Sequence, residues 1–305
     1  MRRLYGRDIY KVNIDAGFTC PNRDGSIAYG GCIYCNNDSF RPPSCKPVLG
    51  IKKQVENGIS YLSKRYKAKR YKAKKFIGYF QPFTNTYASV DELKRLYLEA
   101  LSHKDVIGLA IGTRPDAVDE EKIELLSRLA KDYFILIEYG LQSIYDKTLD
   151  YINRGHDYRC FKECLDMTKN RGIHMGAHLI VGFPTESITE MLYMAQEVSR
   201  LPIEFLKIHQ LQIIRGTPLG EMFEREPFFV FSYEEYIDFV VNFIERLSPH
   251  IVLQRLFATA PYDILIAPRW DKTRQQLTRD IEMQFKKRDT FQGRLFTGCS
   301  CNLSL

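Results

Sequence analysis

The stretch VIGLAIGTRPD, residues 106–116, reads as a β-strand covered on both faces, followed at once by a polar turn. From Val106 to Gly112 every residue is apolar or glycine, and the alternation expected of a half-solvated strand is missing. Strands of this kind belong to parallel sheets flanked by helices. In such sheets the functional groups gather at the carboxyl ends of the strands, here at Gly112–Asp116.

Five further runs share this character: KVNIDAG, KKFIGYFQ, FILIEYGLQS, IHMGAHLIVGFP and EFLKIHQLQII. Helix-like stretches lie between them, at 90–102, 119–131, 158–170, 185–200 and 233–246, and several open on a Ser, Thr or Asp that can cap the first turn. Six strand–helix units in succession predict an α/β chain with a parallel, barrel-like sheet. No Pro-, Gly- or Ser-rich linker divides it. Residues 1–250 are therefore expected to form one barrel-like domain, and residues 251–305 a short C-terminal extension ending in GCSCNLSL.

The chain has 305 residues, 45% of them hydrophobic and 27% charged, which suits a soluble globular protein with a sizeable core. No run approaches the roughly 20 apolar residues of a membrane span, and MRRLYGRDIYKVN has no apolar leader core, so the protein reads as cytoplasmic. The formal charge is +7, yet KRYKAKRYKAKK alone carries eight positive charges: Lys64, Arg65, Lys67, Lys69, Arg70, Lys72, Lys74 and Lys75. The remainder is close to neutral. A concentrated basic run interleaved with tyrosines can follow phosphates while the rings stack on bases, although many such runs are simply solvated helix faces.

Eight cysteines in a chain without secretory features point to metal or redox chemistry rather than to a disulfide framework. Cys20, Cys32 and Cys35 lie in the turn-rich segment TCPNRDGSIAYGGCIYCNN, after the first expected strand. Three thiolates can hold a 4Fe-4S cluster and leave one iron open, whereas structural zinc requires four ligands, which Cys45 could complete. Plain thiols are the third alternative. Cys160 and Cys164, four apart on an expected helix, suit packing, and Cys299 and Cys301 suit free thiols near a terminus.

Taken in order, GFTCPNRDG…GGCIYCNN, YFQPFTNTYA, IGTRPD, IEYGLQS, NRGH, HLIVGFPTE, KIHQLQIIRGTPL and VLQRLFATAP resemble the radical S-adenosylmethionine (SAM) superfamily over roughly residues 10–265. Within it the chain is similar to a bacterial group related to the Elongator catalytic subunit and to oxygen-independent coproporphyrinogen oxidase. The resemblance implies a partial TIM barrel, (β/α)6, of radical SAM type. It also implies a 4Fe-4S cluster on Cys20, Cys32 and Cys35, whose open iron chelates SAM so that the reduced cluster cleaves it to a 5'-deoxyadenosyl radical. Eleven residues separate the first two cysteines, where the superfamily usually has three; the longer loop is typical of this subgroup.

The same resemblance places Gln81, Thr84 and Asn85 where relatives contact the SAM amino group. It places Gln142 and His178 near the ribose and Arg154 near the carboxylate, for which a guanidinium fork is well shaped. Arg114 and Glu138, at strand ends, join this cofactor-binding set, although Glu138 could equally be a structural partner of Arg114 or Arg154, and GTRPD a turn closed by a salt link. Gly182 would admit the adenine close to the backbone. No catalytic side chain is singled out. The implied function is RNA modification, most readily of tRNA and of a wobble uridine side chain, with a reductant such as flavodoxin or ferredoxin as partner. The alternatives are radical chemistry on a small acidic molecule such as a porphyrin precursor, and a zinc-stabilised RNA-binding protein without catalysis.

Overall fold

A computed structural model of the chain describes residues 9–36, 49–67 and 75–298. Its strands and helices alternate as the apolar runs predict: β1 (Ile9–Ile14), α1 (Ile51–Lys67), β2 (Lys75–Phe80), α2 (Val90–Leu101), β3 (Val106–Thr113), α3 (Glu120–Ala130), β4 (Phe134–Gln142), α4 (Asp146–Tyr151), α5 (Tyr158–Thr168), β5 (His174–Val181), α6 (Ile188–Val198) and β6 (Phe205–Gln210). There follow β7 (Ile213–Ile214), α7 (Pro218–Arg225), α8 (Tyr233–Glu245), β8 (Val252–Arg255), β9 (Leu265–Ala267) and α9 (Arg274–Lys287). The main sheet has seven strands in the order β1-β2-β3-β4-β5-β6-β8, with parallel pairing from β1 through β4 and between β6 and β8. This is the partial TIM barrel expected, extended by one strand. That strand, β8, comes from beyond residue 250, where only an extension was anticipated.

Two compact units share the described residues, the first holding 9–31, 49–140 and 159–176 and the second 32–36, 141–158 and 177–298. In the first unit, β4 is buried along its whole length, and Leu109, Ala110 and Ile111 of β3 are inaccessible to solvent. Helix α2 presents Leu93, Leu96, Tyr97, Ala100 and Leu101 to the core, an i, i+3/i+4 stripe, and Ser89 caps its start. Tyr97 packs edge-on to Phe80 and donates its hydroxyl to the carbonyl of Asn85 (2.6 Å), tying the helix to the end of β2. Helix α1 does the same for β1: buried Gln54 accepts from the Asp15 amide (2.9 Å) and donates to the Asp15 carbonyl (2.8 Å).

In the second unit, α6, α8 and α9 each begin with a capping box, built on Ser187/Glu190, Ser232/Glu235 and Thr273/Gln276. Helix α9 docks on α8 through Tyr233–Asp280, Arg288–Asp238 and Arg288–Asn242 contacts. Residues 274–288 are thus packed against the preceding helix. Among the described residues no helix is long and apolar enough to cross a membrane.

Gly108 shows how tightly β3 and β4 are pressed together: an added Cβ would lie 2.0 Å from the carbonyl oxygen of its partner Phe134. Relief would require the sheet itself to shift. Gly108→Ala is expected to destabilise the protein by about 2 kcal/mol or more, while Gly50→Ala, whose added carbon meets only a side-chain oxygen at 3.6 Å, stays within about 0.5 kcal/mol. Denaturant melts of the two variants check the difference.

Candidate cofactor site

The first unit contributes Cys20, Gln81, Thr84, Asn85, Arg114 and Glu138. After Cys20 the chain makes a closed excursion: Arg23 donates to the Cys20 carbonyl (2.9 Å), Asp24 and Tyr29 form an antiparallel bridge, and Gly31 donates to the Asn22 carbonyl (2.8 Å). Most of the eleven-residue gap is therefore a small hairpin whose ends meet. Gly30 and Gly31 both have φ of +81°, a conformation open to glycine with little strain, and this lets the chain turn back. The Cys20 sulfur accepts a hydrogen bond from the Thr84 hydroxyl (3.1 Å), and the Thr84 amide donates to the Thr19 carbonyl.

Thr84, Asn85 and Thr86 are completely buried although all are polar. Thr86 is satisfied by Thr113 and the Ala117 carbonyl. The Asn85 side-chain nitrogen donates to the Gly112 carbonyl (2.8 Å), which fixes the amide and leaves Oδ1 with no partner among the described residues. Burying such an acceptor is costly unless a ligand completes it. Gln81 is half-buried at the end of the same strand.

Arg114 and Glu138 occupy strand ends as expected, but each has a protein partner. Arg114, 3% exposed, forms a two-pronged pair with Asp116 through Nε (2.8 Å) and Nη2 (2.6 Å), so the salt-linked reading of GTRPD describes the turn. Glu138 pairs with Lys11 of β1 at 2.6 Å, and the ammonium of Lys11 also lies 4.6 Å from the Tyr79 ring centre. Lys11 was not foreseen as its partner. A lysine inside the first apolar run was the available signal.

Cys32, Cys35, Gln142, Arg154 and His178 belong to the second unit. Cys35 donates to the Cys32 carbonyl (3.0 Å) in a tight turn, and Ile33 between them donates to Ile152 and accepts from Leu219. Ile33 and Tyr34 pack on a core of Leu149, Ile152, Ile180, Phe183, Leu211, Ile213 and Leu219. The Tyr34 phenol is held neutral, its pKa well above the ordinary value through burial and the neighbouring Cys32 and Cys35 thiols. Arg154, almost wholly buried, directs Nη1 at the Cys32 sulfur (3.5 Å).

Gln142 closes β4 with a φ of +70°, uncommon for a residue with a side chain, and its buried Oε1 has no partner among the described residues. Beside it Ser143 donates to Glu186 (2.5 Å), whose carboxyl pKa is raised by burial. Both residues lie in the segments IEYGLQS and HLIVGFPTE that carry the resemblance, although neither is assigned a cofactor contact by it. His178 lies edge-on to His209, ring centres 4.9 Å apart, and its Nε2 also lacks a partner among the described residues. Gly182 has a φ of +102°, with Phe231 and Leu211 against the space a side chain would take.

Among the described residues no three His, Cys, Asp or Glu side chains converge as a preformed metal site. Cys164 has the packing role expected, buried in the core, which pushes its thiol up to about 12, whereas Cys160 is only half-buried. Of the basic run, Lys64 is exposed at the end of α1, and Lys75 begins β2, donating to the Lys104 carbonyl and facing Asp105. The side chains of Arg65 and Lys67, and all of Lys69, Arg70, Lys72 and Lys74, lie outside the described residues, as do Cys45, Cys299 and Cys301.

The Radical SAM superfamily profile matches residues 20–198, and that of the radical SAM C-terminal domain matches residues 203–287. The uncharacterized protein YtqA of Bacillus subtilis is 30% identical over 296 residues, covering 97% of this chain and 90% of YtqA. The tRNA uridine(34) acetyltransferase of Methanocaldococcus infernus is 30% identical over 164 residues, covering 53% of this chain and 30% of that protein. The solved structure of archaeal M. infernus Elp3 superposes with a TM-score of 0.70 at 18% identity, over 94% of this chain and 64% of that one. The chain belongs to the radical SAM superfamily, whose enzymes use a 4Fe-4S cluster and S-adenosylmethionine.

Proposed function

We propose that this radical SAM enzyme modifies tRNA, with Cys20, Cys32 and Cys35 as the cluster ligands. The substrate reading is carried by the 30% identity, over half of this chain, to a protein named for acetylating tRNA uridine 34. When bound, the cluster and SAM supply the 5'-deoxyadenosyl radical that abstracts hydrogen from substrate. The basic run from Lys64 to Lys75 would follow RNA phosphates, its density of charge supporting an RNA partner over a neutral one.

Several features of the chain suit the two cofactors. The Cys20 sulfur receives a hydrogen bond from Thr84 and the Cys32 sulfur one from Arg154. Donors of this kind favour the thiolate that a metal needs and help to set the potential of a cluster. Asn85, Gln142 and His178, all expected at SAM, each have a buried polar atom with no partner among the described residues. Two of these atoms are amide oxygens and so only accept, matching a ligand that brings an ammonium group and ribose hydroxyls. The roles follow: Asn85 and Gln142 orient SAM, Arg154 stabilises the negative charge at Cys32, and the half-buried ring of Tyr34, packed on the core, limits water at the turn. Arg114 and Glu138, already paired with Asp116 and Lys11, would act by shaping strand ends rather than by holding SAM.

Gln142→Gly keeps the positive φ accessible and removes the amide. It is expected to weaken SAM binding about tenfold or more while leaving the melting temperature of the SAM-free protein unchanged or raised, because an unsatisfied buried acceptor is lost. Equilibrium binding of SAM to the reconstituted protein, paired with thermal melts, checks both effects. The tRNA reading is tested by comparing the nucleosides of bulk tRNA from a deletion strain and its parent. Loss of one modified nucleoside, restored by the wild-type gene but not by a Cys32→Ser copy, is expected; identical profiles would contradict it.

A further inference from the structure

Strands β7 and β9 form a short ribbon of their own outside the main sheet, paired antiparallel with Ile213 facing Ala267 and Ile214 facing Leu265. Ile213 is buried in the core with Ile180 and Phe183. The Leu211 amide just before it donates to the carbonyl of Val181, the last residue of β5 (2.7 Å). The ribbon therefore sits at the carboxyl ends of β5 and β6, the end of such strands at which functional groups gather.

The turn that enters β9 carries Tyr262 at its tip. The Ile264 and Leu265 amides both donate to the Pro261 carbonyl (3.3 and 3.1 Å), folding the chain tightly around Tyr262 and Asp263. The Arg215 amide donates to the Ile264 carbonyl (2.8 Å), which brings the end of β7 beside this turn. Tyr262 is 62% exposed, yet its ring is held: the Arg269 guanidinium lies 4.5 Å from the ring centre, and Arg269 Nε donates to the Leu265 carbonyl (2.9 Å). One residue on, Trp270 anchors the segment by donating Nε1 to the Phe231 carbonyl (2.9 Å). The outcome is an aromatic ring fixed from one side and still largely in solvent.

We propose that Tyr262 and Arg269, at the β7–β9 ribbon, form a stacking platform for an unpaired base of the RNA substrate, with Arg215 at an adjoining phosphate. Arg215, Arg269 and Lys272 are exposed, and so are two carboxylates of the same segment, Asp263 and Asp271. A face of mixed charge is poorly suited to tracking the phosphates of a duplex. It suits a single-stranded loop, whose splayed bases stack on rings and guanidinium planes, whose phosphates meet the cations, and whose amino and 2'-hydroxyl groups can donate to a carboxylate. A regular duplex keeps its bases stacked on one another and cannot use the ring. The platform rests on the tRNA reading for the identity of its partner, and adds to it the place where an unpaired loop engages this unit.

The test uses anaerobically reconstituted protein with SAM, as wild type and as Tyr262→Ala, Tyr262→Phe and Arg215→Met. Affinity is measured as a function of salt for bulk tRNA, for a single-stranded RNA oligonucleotide and for an RNA duplex of the same length. Unchanged melting temperature and SAM affinity show that the variants are folded. Tyr262→Ala is expected to bind tRNA and the single strand about tenfold more weakly at every salt concentration and the duplex as wild type does, with Tyr262→Phe close to wild type throughout. Arg215→Met is expected to lower the salt slope by about one. Tyr262→Ala matching wild type on tRNA and single strand would overturn the platform and leave the tRNA reading standing, as would an equal loss on the duplex. Single-strand binding that depends on Tyr262, in a protein without affinity for tRNA, would retain the platform and defeat the tRNA reading. RNA affinities that no variant changes, with slower reduction of the cluster by reduced flavodoxin in Tyr262→Ala and Arg215→Met, would overturn the platform and assign the surface to a protein electron donor.

Discussion

The Asn85 side chain is locked by its hydrogen bond to the Gly112 carbonyl, and its other polar atom is buried with nothing to bind among the described residues. A sheet covered on both faces excludes water from most polar groups it carries, so each must find a partner or incur a desolvation cost. The strand ends obey this rule in two ways. Arg114, Glu138, Thr86 and Ser143 are matched within the protein. Asn85 and Gln142 keep an amide oxygen in reserve, and Gln142 does so at a strained φ. On the function proposed above, that division separates residues that build the ends of the strands from residues that would hold SAM.

The same rule explains what could be read from the amino-acid order. Runs such as VIGLAIG and FILIEYG announce buried parallel strands because nothing polar interrupts them, and Ser89, Asp119, Ser187 and Ser232 announce helix starts because their side chains satisfy the first-turn amides. Strand β8 escaped because VLQR is short and half polar, and only its register against Phe205–Lys207 defines it. Glu138 reads equally as a SAM contact or as a partner of Arg114 or Arg154, but its partner Lys11 is 127 positions away, and no local pattern links them. Arg114, by contrast, pairs two residues along, within reach of a local reading.

The loop between Cys20 and Cys32 departs in length from the usual superfamily spacing, and the hairpin accounts for the excess. Asp24 accepts from the Ser26 amide and hydroxyl, Asp24 and Tyr29 pair, and the Asn22–Gly31 hydrogen bond closes the base. The inserted residues thus satisfy one another, and the added length leaves the chain beside its point of departure when it reaches the second cysteine. Cys20 and Cys32 are each approached by a donor, a hydroxyl in one case and a guanidinium in the other. Neutral and charged donors differ in strength by roughly twofold, so the two sulfurs need not be electronically equivalent.

The central claim is that three cysteines hold a cluster with one iron left for SAM, and spectroscopy of that iron tests it most directly. The protein would be reconstituted anaerobically with iron and sulfide and reduced, and its electron paramagnetic resonance spectrum recorded with and without SAM, alongside Cys45→Ser. The account predicts a 4Fe-4S signal that changes on adding SAM and survives Cys45→Ser. A colourless protein holding one zinc, or a cluster indifferent to SAM and lost with Cys45, would contradict it.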